Sequence, residues 1–201
     1  MRIQTWRLTV ILIVATASLL LVAPGVAGAH VKAKYRAEYG AKLTSLDSGF
    51  VAFASNYDNI KEGSIESAQD MAPMIGDPNQ HEQLVAAENW CLTVYNMYKG
   101  KPETWSLVYA KTISTFRDKA ARYFVTAAQQ RAFKHACNQL KAYGSTLIML
   151  ANDHLYWSYR QLGYDPPNID LSAKAITDAD EDAATGHEGW DKWLAALRAL
   201  K

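Results

Sequence analysis

YGAKLTSLDSGFVAFASNYDNI, residues 39–60, decides the fold class. Within it Tyr39, Leu43, Leu46, Phe50, Phe53, Tyr57 and Ile60 recur at spacings of 4, 3, 4, 3, 4 and 3. Such a stripe runs along one side of an α-helix, so it predicts an amphipathic helix over about 31–60 that must bury one face. Gly49 lies inside it and predicts a local bend, since glycine costs about 1 kcal/mol relative to alanine in a helix interior. Lys61, Glu62, Gly63 and Ser64 read as its end, with a short helical turn over 65–71 before Pro73 and Gly76.

The same period recurs downstream. Asp77 before Pro78 is a helix start, because proline's missing N–H would be unpaired at the first turn anyway. Leu84, Ala87, Cys91, Val94 and Tyr98 then mark a second helix, closed by Gly100 and Pro102. Trp105, Tyr109, Ile113, Phe116 and Ala120 mark a third over about 103–125. Thr126 and Gln129 have the capping-box spacing and open a fourth, which runs to Leu162 and stops at Gly163 and Asp165-Pro166-Pro167. Its stripe is Ala136, Leu140, Tyr143, Leu147, Leu150, His154 and Trp157, narrowed at Gly144 and Ser145 so that another helix can approach. No segment shows the alternation of a strand, and the short connections predict antiparallel neighbours. The expected architecture is all-α: an antiparallel bundle of about four main helices over 30–167.

Residues 168–201 read differently. Asp178, Asp180, Glu181 and Asp182 give a polar, acidic stretch that resembles a linker. A short amphipathic helix follows, with Trp190, Trp193, Leu194, Leu197 and Leu200 on one side. Too short to stand alone in water, it must be covered by its own bundle, a partner chain or a lipid surface.

At the other end, Arg2 and Arg7 precede an apolar run over 8–22 and the small residues Ala27, Gly28 and Ala29. These are the parts of a secretory signal over 1–29, with cleavage after Ala29. Left uncleaved, the segment is long enough to act as a membrane anchor. Either way the rest is expected outside the cytoplasm, secreted or periplasmic. Cys91 and Cys137 then read as one disulfide of an exported chain, worth about 3–4 kcal/mol by loop closure.

The 201 residues, 49% apolar, suit one domain with a substantial core. Lys and Arg total 21 against 20 Asp and Glu, a balance that excludes the strongly basic face nucleic acid selects. Di-iron chemistry needs Glu-x-x-His pairs, and no histidine here has a glutamate three residues before it. Asp178, Asp180 and Asp182 have calcium-loop spacing, but Ala183 and Gly189 stand where glycine and glutamate belong. Glu88 is a lone carboxylate beside the second helix's stripe, without the partner acid–base work usually needs. No nucleophile elbow, P-loop or zinc-protease motif is present.

Elimination leaves three expectations. The first is a non-enzymatic exported protein docking onto a partner protein or a membrane-associated complex through Trp190, Trp193, Leu194 and Leu197. A second is a small hydrophobic or aromatic ligand, haem included, held between helices near His154, Tyr156, Trp157 and Tyr159. The third is a copper-dependent activity at a mature amino-terminal His30, with a second histidine among His81, His135, His154 and His187.

Overall fold

A computed structural model describes residues 30–201; the expected leader, 1–29, lies outside the described residues. Among the described residues all regular structure is helical. Helix α1, Arg36–Met71, buries Tyr39, Leu43, Leu46, Phe50 and Tyr57 along the quoted stripe. It continues through the expected stop at 61–64, because packing overrides weak local propensity. Ser64 is fully buried there, its hydroxyl 2.6 Å from that of Ser158.

The start signals hold. Asp77 accepts from the Asn79 N–H at 2.9 Å and Pro78 opens a 3₁₀ turn, Pro78–Gln80, leading into α2, His81–Tyr98. Next come α3, Lys101–Arg117, and a single turn, α4, Ala120–Tyr123. Thr126 and Gln129 form the reciprocal capping box at the head of α5, Ala127–Ser145. A π-helical turn, Thr146–Ala151, joins it to α6, Asn152–Leu162. Helix α7 spans Ile169–Ala199.

These helices stack into four antiparallel columns: α1, then α2 with α3, then α5 with α6, then α7. With about 36 residues at 1.5 Å each, the longest columns reach roughly 50 Å. The short link at Lys99–Gly100 does not reverse the chain, contrary to the expected hairpin. Tyr98 stacks on Tyr156, Tyr109 lies over Gly144, and Phe116 meets Phe133, so α2 and α3 descend one after the other along α6 and α5. Gly100 supplies a left-handed residue (φ 78°), which ends α2 without turning the column round. Loop length restricts direction but does not set it; here both stripes face the same partner column.

The expected acidic linker is also corrected. Residues 169–199 form one unbroken helix, antiparallel to α1: the Tyr39 hydroxyl donates to the Leu197 carbonyl at 2.9 Å, and further along Tyr57 donates to Asp180 at 3.0 Å. The buried stripe is continuous but made of small residues, Ser172, Ala175, Ala179, Ala183 and Gly186, before it reaches Trp190, Leu194 and Leu197. Small residues let α7 lie close on α6 and the π turn. A Cβ on Gly189 would fall 1.9 Å from the Tyr143 ring, so any other residue at that crossing must displace the ring.

No disulfide joins the cysteines; both are free and buried. Cys137 belongs to the large core built on Tyr39, Phe116, Tyr123, Phe133 and Trp190. Cys91 belongs to a smaller core at the other end, with Met71, Leu84, Tyr159 and Leu162. Tyr159 is 22 residues from Cys137 on the same column, roughly 30 Å of helix. A disulfide needs Cα atoms about 4.4–6.8 Å apart. The two columns are neighbours, but α2 packs on α6 and not on α5, so the thiols sit at different heights. Among the described residues no helix is long and apolar enough to cross a membrane.

Candidate functional site

The residues singled out around His154 are dispersed by the helix that carries them. Tyr156 points inward and stacks on Tyr98, centroids 5.0 Å apart and planes 6° from parallel. Tyr159 is buried against Trp90 and donates its hydroxyl to the Ile60 carbonyl at 3.1 Å. His154 is partly exposed, its Nε2 3.4 Å from an Asp182 oxygen on α7. Trp157 faces solvent. They do not line a common cavity.

The tail residues are covered by the bundle itself. Trp190, Leu194 and Leu197 are buried, and Trp190 stacks on Phe50. Trp193 is partly buried against His135. These side chains therefore offer no free docking face. The three aspartates of the calcium-like spacing do not converge on one point, because on a helix Asp180 is turned to the side opposite Asp178 and Asp182. Asp178 pairs with Lys174, Asp180 with Lys61 and Tyr57, and Asp182 with His154. His30 is exposed at the start of the described residues. Among the described residues no three His, Cys, Asp or Glu side chains are grouped to hold a metal ion.

One end of the bundle carries two features on opposite flanks of α2. On the flank toward α6, Arg160 sits among three aromatic rings. Its guanidinium carbon is 4.8 Å from the Trp157 centroid, 5.3 Å from Tyr95 and 6.0 Å from Tyr164. Its Nε donates to the Tyr164 hydroxyl and one Nη to that of Tyr95, both at 3.1 Å. Those hydrogen bonds hold its pKa above the usual arginine value. Among the described residues no carboxylate pairs with it. Trp157, Tyr164 and Leu92 remain exposed around it.

On the flank toward α1, a groove of about 330 Å³ opens between α1 and α2. Its floor includes Met71 and Cys91, both fully buried, and Trp90 stands at its edge, 52% exposed. Burial pushes the Cys91 thiol up to about 11, so it is a packed apolar group rather than a nucleophile. Near the same end, Glu88 is buried with Oε1 unpaired. Burial, and then Asp165, raises its pKa, and His81 opposes them.

Trp157 apart, these features escape a search for inward stripes. They are nonetheless written in α2: Trp90 and Met97 are seven residues apart on the side away from Leu84 and Cys91, and both are exposed. A second apolar stripe on a helix that already has one is the signal that was available. Comparison with protein-family models, curated proteins and solved structures finds no match to this chain.

Proposed function

We propose that the chain is an exported docking protein whose partner-binding face is the aromatic cluster around Arg160. Its support is the composition and exposure of that cluster. Tryptophan, tyrosine and arginine are the residues enriched where binding energy concentrates in protein interfaces. Trp157 and Tyr164 expose flat, rigid apolar surface at little conformational cost, and Leu92 extends it. Arg160 is held in place by two phenols, while donors on its guanidinium are left for a partner carboxylate. The expected role of Trp190, Trp193, Leu194 and Leu197 in docking passes to these residues.

The test is affinity capture from the native host with the wild-type chain and with a Trp157→Ala, Arg160→Glu double variant. Both positions are solvent-facing or partly so, and the variant keeps the wild-type helix signal by circular dichroism. A single protein recovered stoichiometrically with the wild type and lost with the variant is the expected result. Recovery of the same proteins with both chains defeats the proposal.

A further inference from the structure

The second flank of α2 carries a separate site. On α1, Gly63, Glu66, Ser67 and Asp70 follow the 3, 4, 7 spacing of one helix face, and they form one wall of the groove. Ala87, Trp90 and Cys91 form the other, with Met71 closing the floor. Glu66 and Asp70 are exposed at the rim, and neither forms an ion pair among the described residues. Glu62, one turn before Glu66, is exposed and extends the row of carboxylates. Like charges at this spacing repel, and a cation placed between them relieves the repulsion. The nearby Lys61 is not that cation, because both its contacts go to Asp180 at 2.7 and 2.8 Å. Ser67 already donates to the Gly63 carbonyl at 2.6 Å, so its hydroxyl offers only lone pairs to an occupant.

An anion would meet two carboxylates and no cation. A neutral apolar molecule would fit the floor and leave the charge uncompensated. A hard metal ion needs several oxygens converging on one point, and these carboxylates stand on an open rim. A small alkylammonium satisfies both halves of the groove. Its methyl groups lie against the exposed Trp90 indole at the edge of the groove, and its diffuse positive charge is drawn to the ring and to the carboxylates. We propose that the groove between α1 and α2 binds a free small alkylammonium compound, its charged head over Trp90 and flanked by Glu66 and Asp70.

The experiment is a titration of the purified chain with choline, followed at the Trp90 indole N–H in nitrogen-15 spectra and assigned by the loss of that signal in Trp90→Phe. Its uncharged carbon counterpart, 3,3-dimethylbutan-1-ol, is titrated in parallel. The expected result is a saturable shift with choline and roughly tenfold weaker binding in Trp90→Leu. The Glu66→Gln, Asp70→Asn variant loses affinity as well, and the alcohol binds far more weakly. The carboxamide pair replaces exposed residues and keeps the test valid if Trp90→Leu perturbs folding. Equal binding of the alcohol, wild-type affinity in both variants, or no saturable shift overturns the site. An acetylated Gly-Lys-Gly amide binding more tightly than choline overturns the free compound as occupant, because the ammonium is then protein-borne. The docking face around Arg160 stands or falls separately, since none of its residues takes part here.

Discussion

Trp190 lies face to face on Phe50, ring centroids 4.1 Å apart and planes 4° from parallel, with no exposed surface on the indole. The pair clamps the last column onto the first, while Tyr109 on α3 closes over the indole at 5.6 Å. Truncating a fully buried aromatic costs about 3–5 kcal/mol, so Trp190→Ala is expected to lower the melting temperature by many degrees. Trp193→Ala, at a partly buried site, is expected to cost far less. Paired thermal denaturation curves read the difference; equal losses would deny the clamp.

Gly189 and Gly40 are expected to respond to alanine with opposite signs. Helix propensity alone favours alanine by about 1 kcal/mol at either position. At Gly40 the new methyl meets only the flexible end of Lys201, so the gain survives. At Gly189 it strikes the Tyr143 ring, whose displacement from a packed core is expected to outweigh the gain by about 1–3 kcal/mol. Denaturant melts of the two variants check the signs, and Tyr143→Ala combined with Gly189→Ala is expected to cost less than the sum of the two alone.

Glu88 is expected to make stability fall as the solution becomes more basic. Its folded pKa lies above the unfolded one, so the protonated carboxyl favours folding at low pH. That contribution is lost as pH rises through the folded value. Glu88→Gln cannot ionise, so the variant's advantage over wild type should grow between acid and neutral pH. Melting curves across that range measure it; a constant difference would show that the carboxyl titrates normally.

The two thiols are expected to be inert in the native state. Burial raises both, Cys91 to about 11, so almost no thiolate is present near pH 8. Alkylation should modify neither cysteine until denaturant is added, and reductant should leave the melting temperature unchanged. Peptide mapping that recovers Cys91 joined to Cys137 would contradict the separation of the two cores.

The helical period was legible in α1 and α5, where the stripes from Tyr39 to Ile60 and from Ala136 to Leu147 fall on the covered face; past the π turn the buried stripe moves on by one residue, to Ala151 and Leu155, and Trp157, expected inside, faces solvent. The caps at Asp77 and Thr126 were legible because they are local chemistry. Direction and continuity were not. Lys99–Gly100 looks like a reversal, and only the stacking of Tyr98 on Tyr156 and Phe116 on Phe133 shows a broken column. The alanines and glycine of 175–186 look like linker because close packing selects small side chains, whose hydropathy is weak. The site residues were missed for a related reason. Trp90 lies away from the buried face of α2, where a stripe search assigns no role; Trp157 was placed on the inward stripe, and the structure turns it to solvent; Arg160 gains its surroundings only when α2 docks.

The Val31 N–H donates to the Leu200 carbonyl at 2.9 Å, and the Lys32 N–H donates to the Tyr123 carbonyl at the same distance. Residues 31 and 200 are thus neighbours at one pole of the bundle, and the path through the four columns is nearly a closed circuit. A few residues bridging 30 and 201 would complete a ring. New ends could then be cut at Gly76, where the chain borders open space. In such a circular permutant α2 would lead and α1 would come last, with every interhelical contact kept. Which column comes first is therefore a property of where the circuit is opened, and the packing is indifferent to it.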